Sequence, residues 1–238
     1  MTLAGKRVIL LGGSSGIGFS VAEQAAAEGA QVVIASSSQD KVDRALKRLP
    51  DDAQGFRLNV TDEDEVREFF QQIGEFDHLV YTAGDPLQIK SFDETDVRQA
   101  QEFFKVRYWG AFAAARHGAA HIREGGSIVL SSGSAGARPG KGWMVAASIT
   151  SASEALGRAL AVELGPIRVN VVRPGPTRTE LWDGSVAEPE ELYQALGDKL
   201  LVGRVGQVSE VAQTYIYLMS NGFSTGSVVT VDGGHFLS

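Results

Sequence analysis

Apolar residues along this chain recur with two alternating periods. Short strand-like runs fall at 8–11, 31–35, 55–59, 78–82, 127–130, 168–172 and 227–231, all but 55–59 containing β-branched residues and each the length of a buried strand. Between them, apolar positions return every three to four residues over 17–28, 40–49, 62–73, 96–122, 148–164 and 209–219, the spacing that gives a helix one apolar stripe. Gly29 and Gly165 stand where a left-handed residue would close two of these helices, and Thr61 and Ser209 are placed to cap the starts of two others.

Regular alternation of strand and helix implies right-handed crossovers and a parallel sheet covered on both faces. No repeat, Pro/Ser-rich linker or block of charge divides the sequence, so residues 1–238 are expected to form one domain. The rhythm breaks once. Residues 177–205 are polar and carry Trp182, Gly184, Pro189, Gly197 and Gly203, too long a stretch for a simple connection. Two readings stand for it: a substrate-side loop or lid, or a surface helical hairpin that only packs.

Composition narrows the class. A length of 238 residues with 43% hydrophobic and 21% charged residues suits one globular α/β domain large enough for a substantial core. The formal net charge of −7, with no basic cluster to offset it, argues against nucleic acid and anionic membrane surfaces as partners. There is no cysteine, hence no disulfide or thiolate chemistry. The opening residues, M-T-L-A-G-K-R, lead straight into the first strand pattern without a signal peptide, and no apolar run nears the roughly 20 residues of a membrane span. The expected location is cytoplasmic.

Candidate chemistry begins between the first strand and the first helix, where Leu10 to Gly18 reads L-L-G-G-S-S-G-I-G. Small residues at Gly12, Gly16 and Gly18 let the backbone approach a pyrophosphate, and a helix opening near Ile17 offers free N–H groups and the positive end of its dipole. Ser14 and Ser15 add hydroxyl donors. A purely structural tight turn would use the same glycines, but a strand before and a helix after favour a nucleotide.

The spacing G-x-x-x-G-x-G, in a chain of this size, resembles the short-chain dehydrogenase/reductase family. Four further segments carry the resemblance. Tyr81-Thr82-Ala83-Gly84 resembles the family's N-N-A-G, and Asn59-Val60 the D-V pair flanking the adenine. Arg173-Pro174-Gly175-Pro176-Thr177-Arg178-Thr179 is similar to P-G-x-x-x-T, which holds the nicotinamide amide, and Val231-Asp232-Gly233-Gly234 to the C-terminal V-D-G-G. The resemblance implies a Rossmann-type doubly wound α/β domain with about seven parallel strands and helices on both faces. It also implies a nicotinamide cofactor, a small-molecule substrate, and a homo-oligomer, dimer or tetramer. By the same resemblance Ala83, Gly84, Pro174, Gly175, Thr177 and Thr179 join the cofactor set.

The second strand ends in Ala35-Ser36-Ser37-Ser38-Gln39, without the carboxylate that accepts from the adenosine ribose in NAD-preferring members. Ser36, Ser37 and Ser38 can instead surround a 2′-phosphate, so NADP(H) is expected over NAD(H). Lys41 and Arg44 lie nearby but serve equally as solvated helix charges.

The family's usual site combines a Tyr, a Lys four residues later, a Ser after the fifth strand and an Asn in the long preceding helix. A phenol needs the ammonium beside it, because a free Tyr with a pKa of about 10 is a poor acid–base at neutral pH. Anchored on both sides, this chain has Arg107 at the Asn position, Gly133 at the Ser position, Ala146 at the Tyr position and Thr150 at the Lys position. Tyr108 and Tyr193 are distant, and Lys141 precedes the helix.

Other groups are then candidates for the chemistry. Arg107, on a mostly apolar helix, could hold a substrate carboxylate or stabilise an oxyanion; a salt bridge to the sheet or across an interface would serve it equally. Ser132 and Ser134 could donate to a substrate oxygen or merely stabilise the turn. Trp143 and Met144 could line a pocket or belong to the core. His117 and His121, one helical turn apart, suggest packing or an interface more than a metal pair, since no third ligand is near in sequence. Two functions follow: a reductase with a rearranged site acting on a carbonyl, quinone, enone or imine, or a non-catalytic NADP(H)-binding sensor or scaffold.

Overall fold

The first strand, β1 (Arg7–Leu11), shows why its run of apolar residues does not alternate. Val8 and Leu10 enter one core and Ile9 and Leu11 enter another on the opposite face, all of them fully buried. The computed structural model describes residues 3–86, 89–180 and 189–238.

In chain order β1 is followed by α1 (Gly16–Ala27), β2 (Gln31–Ser36), α2 (Gln39–Leu46), β3 (Gln54–Arg57), α3 (Glu63–Ile73) and β4 (Phe76–Tyr81). The second half holds α4 (Val97–Phe104), α5 (Ala111–Gly118), β5 (Ile122–Ser131), α6 (Met144–Glu163), β6 (Arg168–Pro174), β7 (Thr177–Arg178), α7 (Pro189–Gly197), β8 (Gly206–Gln207), α8 (Val208–Ser220) and β9 (Val228–Val231). Among the described residues seven strands form a parallel sheet in the order β3-β2-β1-β4-β5-β6-β9. α1, α2 and α8 bury their apolar stripes on one face; α3, α5 and α6 cover the other. This is the doubly wound arrangement. Strand order reverses between β1 and β4, and the crevice at the carboxyl ends of those strands is where such sheets bind ligands.

Several boundaries differ from the sequence expectation. Gly29 is left-handed, with φ of 86°, but Gly165 is not. There the Ile167 N–H donates to the Leu164 carbonyl. Asp62, not Thr61, caps α3, because its carboxylate accepts from the Asp64 and Glu65 N–H groups. Gln207, not Ser209, caps α8 through a reciprocal pair with Glu210. α6 starts at Met144, four residues earlier than the pattern at 148 suggested, drawn in by the burial of Ala146 and Ile149.

The helix expected over 96–122 is not continuous. A π-helical segment, Lys105–Gly110, separates α4 from α5, and a 3₁₀ turn, Ala119–His121, leads into β5 at Ile122. Within the π segment the Val106 carbonyl accepts from the Tyr81 hydroxyl at 2.5 Å. Gly110 allows that approach, since a Cβ there would lie 2.3 Å from the same hydroxyl. Turns of this kind inside α-helices often mark functional positions, and this one carries Arg107.

The expected lid at 177–205 is in part a packed unit. β7 pairs with β8, and Tyr193, Leu200 and Val205 form a small satellite core joined by Trp143, Leu192 and Leu196. Arg178 forms an ion pair with Glu190 and lies 4.4 Å over the Tyr193 ring. Trp182 and Gly184 of this stretch lie outside the described residues. No helix among the described residues is long and apolar enough to cross a membrane.

Candidate active site

The turn after β1 is built from glycines with different duties. Gly12 has φ of 92°, and a Cβ on it would sit 2.5 Å from the Ala83 nitrogen; on Gly18 it would sit 2.3 Å from both the Gly12 carbonyl and the Thr82 hydroxyl. These two pack the turn against β4 and α1. Gly16 is the open one: with φ of 53°, its nearest neighbour is the Thr179 Cβ, 3.9 Å from where a Cβ would be.

α1 begins at Gly16, and its N-cap Ser15 makes no side-chain capping bond. Neither the Ser14 nor the Ser15 hydroxyl is engaged among the described residues. Ile17 packs its side chain on the core below. Free helix N–H groups, two uncommitted hydroxyls and a lane cleared by Gly16 fit a pyrophosphate between the β1 turn and Thr179.

At the adenosine end, the Ser36 and Ser37 hydroxyls are also unengaged among the described residues, while Ser38 caps α2 and accepts from the Lys41 N–H at 3.4 Å. The Asn59 side-chain oxygen accepts from the Thr61 N–H and hydroxyl, and its NH₂ group makes no hydrogen bond among the described residues. Val60 packs against Gly110. Pairing of β2 with β3 adds a residue that linear reading missed. Arg57 is the register partner of Ser36, is exposed, and makes no ion pair among the described residues. Only strand register could have revealed it.

At the other end, β6 delivers Pro174 and Gly175. The Gly175 N–H donates to the Val231 carbonyl at 2.8 Å, and a Cβ on Gly175 would lie 2.6 Å from the Asp232 Cα. Thr177 is buried and donates to the Gly175 carbonyl at 2.9 Å, so this hydroxyl shapes the loop, while Thr179 faces Gly16.

Gly133, Ala146 and Thr150 converge. A Cβ on Gly133 would meet the Thr150 Cγ2 at 3.3 Å, and the Thr150 hydroxyl donates back to the Ala146 carbonyl at 2.9 Å. None of the three side chains titrates near neutral pH. Ser132 is committed elsewhere: its hydroxyl lies 2.9 Å from the Glu154 carboxylate and 3.1 Å from the Thr150 carbonyl, which removes it from the substrate candidates. Glu154 in turn is clamped by Arg173 through bonds of 2.6 and 2.5 Å. Burial pushes the Glu154 carboxyl up, but Arg173 and Ser132 hold it below its ordinary value. Neither residue of this pair was singled out by sequence reading, because 19 residues separate them. The Ser134 hydroxyl stays unengaged among the described residues. Met144 is exposed, whereas Trp143 belongs to the satellite core.

Arg107 turns toward the end of β4. It donates to the Asp85 carbonyl through Nη2, and its guanidinium lies against Gly84, where a Cβ would be 2.5 Å from Nη1. Its Nε is buried without a hydrogen bond. Burial lowers its pKa, with Asp85 and the Tyr81 phenol acting in the opposite sense. Within the chain Arg107 makes no salt bridge to the sheet among the described residues; a backbone carbonyl takes that place. Asp85, also missed in the sequence, has its pKa raised by partial burial against the pull of Arg107. His117 bonds Glu63 of α3 at 3.0 Å instead of pairing with His121.

A parallel doubly wound sheet with an open, Gly-lined anion cradle at its switch point defines a Rossmann-type nucleotide-binding protein. Residues 12–235 match the family model described as enoyl-(acyl carrier protein) reductase. The short-chain dehydrogenase/reductase fsr5 of Gibberella fujikuroi is 37% identical over 99% of this chain and 96% of its own length. A crystal structure of a small-chain dehydrogenase in complex with NADPH is 37% identical, with a TM-score of 0.87 over 98% of this chain and 100% of that one. The MalC reductase/Diels-Alderase from Malbranchea aurantiaca is 30% identical, with a TM-score of 0.92 over 99% of this chain and 98% of that one. The chain belongs to the short-chain dehydrogenase/reductase family.

Proposed function

We propose that the protein is an NADP(H)-dependent oxidoreductase with a non-standard active site. It reduces a small molecule whose own electron sink eases hydride acceptance, such as a quinone, enone or imine. One observation carries this reading: the turn after β1 keeps an open lane at Gly16, while Gly133, Ala146 and Thr150 meet with no acid–base group among them. General acid–base groups are typically worth about 10²–10⁴-fold, so a site without the usual phenol suits the easier electrophiles.

The groups that would hold the cofactor fit its parts. Gly12, Ser14, Ser15, Gly16, Ile17 and Gly18 flank the pyrophosphate, and Thr179 closes over it. Ser36, Ser37, Ser38, Asn59 and Val60 flank the adenosine; Ala83, Gly84, Pro174, Gly175 and Thr177 shape the nicotinamide end. When bound, the cofactor supplies a hydride. This chain's part is to orient the ring, exclude water and manage charge on the substrate, for which Arg107 and Ser134 are the candidates.

NADPH is favoured over NADH because residues 35–39 carry no carboxylate while Arg57 is the register partner of Ser36. The NADPH bound to the 37% identical small-chain dehydrogenase points the same way. Trp109 and Phe112 are exposed side by side in the π segment and α5, which supports a homo-oligomer formed by pairing of these helices.

Stopped-flow mixing of NADPH-loaded protein with quinones, enones and imines tests the reading through the loss of reduced-nicotinamide absorbance. Oxidation by at least one class is expected. No oxidation by any, together with different affinities for NADPH and NADP⁺, would replace the reductase with the sensor.

A further inference from the structure

We propose that Asp85 is the general acid of this site, protonating the carbonyl oxygen of a quinone or enone substrate, with Arg107 holding it in place. The inference rests on the reductase reading. Asp85 directly follows Ala83 and Gly84 at the carboxyl end of β4, and Gly12 packs on that same segment, so the fold fixes its backbone at the switch point. Arg107 fixes it further by donating to the Asp85 carbonyl while stacked against Gly84.

The carboxyl itself is left uncommitted. Asp85 is only partly exposed, yet among the described residues its side chain makes no hydrogen bond and no ion pair. The carboxyl oxygens are not sealed from solvent, so the group is free to meet a substrate oxygen without first breaking a bond within the protein. The opposite wall of the crevice joins its loop directly: the Lys90 N–H donates to the Gly142 carbonyl at 3.1 Å, and a Cβ on Gly142 would lie 2.9 Å from Ile89. The π segment that carries Arg107 also packs against α6, the helix of Ala146 and Thr150.

Few charges face the carboxyl. From the π segment there is Arg107, and from β4 the phenol of Tyr81, which donates to Val106. Lys90, on the same loop, is bonded to Gln99. Residues 144–153 of α6 include no titratable side chain, and Glu154 below them is held by Arg173. Arg138, in the loop after β5, donates to the His235 carbonyl. Partial burial therefore prevails and lifts the carboxyl above its ordinary value, which keeps a larger protonated fraction than a solvated Asp would have.

The step balances simply. A hydride from the reduced nicotinamide forms the new C–H bond, and the π-electron pair moves to the carbonyl oxygen. The Asp85 O–H bond breaks as that oxygen takes the proton. NADPH becomes NADP⁺, the substrate gains two electrons, and the Asp85 carboxylate is reprotonated by water.

Two measurements test the role. In cofactor-free protein labelled with ¹³C at aspartate carboxyls, the resonance missing from Asp85→Asn should titrate above the ordinary value of about 3.9; titration at or below that value overturns the proposal. In single turnovers with NADPH and a quinone or enone, Asp85→Asn should be about 10²–10³-fold slower, with NADPH affinity unchanged. It should also lose the alkaline limb of the pH–rate profile, and Asp85→Glu should recover part of the rate. An Asp85→Asn protein within about threefold of wild type at every pH removes the acid role and leaves the reductase reading intact. Loss of NADPH binding in both variants would make Asp85 a cofactor ligand and also overturn the role. A wild type that oxidises no NADPH brings down both readings together.

Discussion

The two ends of the sheet treat their polar groups in opposite ways. At the amino end Asp77 is buried and fully used: it accepts from Lys6 Nζ and the Arg7 N–H at 2.9 Å each, and from Arg123 at 3.3 Å. Arg168, also buried, spends its guanidinium on the last carbonyls of α8, at 2.7 Å to Leu218 and 2.8 Å to Met219. At the carboxyl end Arg107 leaves its Nε unbonded and Asp85 leaves its carboxyl free, and the hydroxyls of Ser14, Ser15, Ser36 and Ser37 are unengaged among the described residues. An unmet buried polar group costs about 1–3 kcal/mol, and among the described residues the Arg107 Nε, at the carboxyl end, is such a group, whereas the serine hydroxyls there are partly or fully open to water.

The largest effect that should separate the ends is Asp77→Ala. Lys6 and Arg123 are nearly half exposed, and their ion pairs add little. The Arg7 N–H, however, loses its acceptor, and the buried carboxylate that ties β1 to the start of β4 is gone. Thermal or denaturant unfolding should show a loss of about 3 kcal/mol with NADPH affinity unchanged within about twofold. A loss below about 1 kcal/mol, or a matching fall in affinity, would erase the distinction.

A slightly smaller effect follows from His78, buried at 2.8 Å from Ser127. Burial depresses its pKa to about 4. The unfolded chain therefore takes up this proton first, near pH 6.5. The His78 contribution is complete above that pH and erodes as pH falls toward 4. At about 1.36 kcal/mol per pKa unit, as much as roughly 3 kcal/mol is lost by then. The part due to this residue is the part that disappears in His78→Gln. If both proteins lose stability in parallel from pH 6.5 to 4, the imidazole is not buried neutral.

How much of each end was legible in the sequence follows from how local its signals are. β1, β2 and β4 were readable because parallel strands buried on both faces leave unbroken apolar runs, and the Gly12–Gly18 spacing belongs to one turn. The convergence of Gly133, Ala146 and Thr150 was readable through anchored counting along β5 and α6. The partners of these groups were not. Ser132 is spent on Glu154, 22 residues away, and Arg107 on a carbonyl 22 residues before it. The π segment escaped notice because one widened turn barely disturbs a 3.6-residue apolar pattern. Caps were misplaced by one or two residues, since Thr61 and Asp62 are both good capping types and only geometry decides between them.

The smallest predicted effect sharpens the contrast most, because it separates binding from stability at one exposed residue. Arg57 is readable only through register, as the β3 partner of Ser36. Being exposed, it should contribute little to folding. A 2′-phosphate beside Ser36 would lie within reach of its guanidinium, and that attraction is partly screened by salt. Arg57→Glu should weaken NADPH binding about tenfold, or about 1.4 kcal/mol, leave NADH binding unchanged and keep the unfolding midpoint within about one degree. The NADPH penalty should shrink as ionic strength rises. Equal losses for NADPH and NADH would mean that the substitution disturbs the cleft and not a phosphate contact. No loss for either would leave the serines alone to recognise the adenosine end, and NADP(H) preference would then rest on the missing carboxylate.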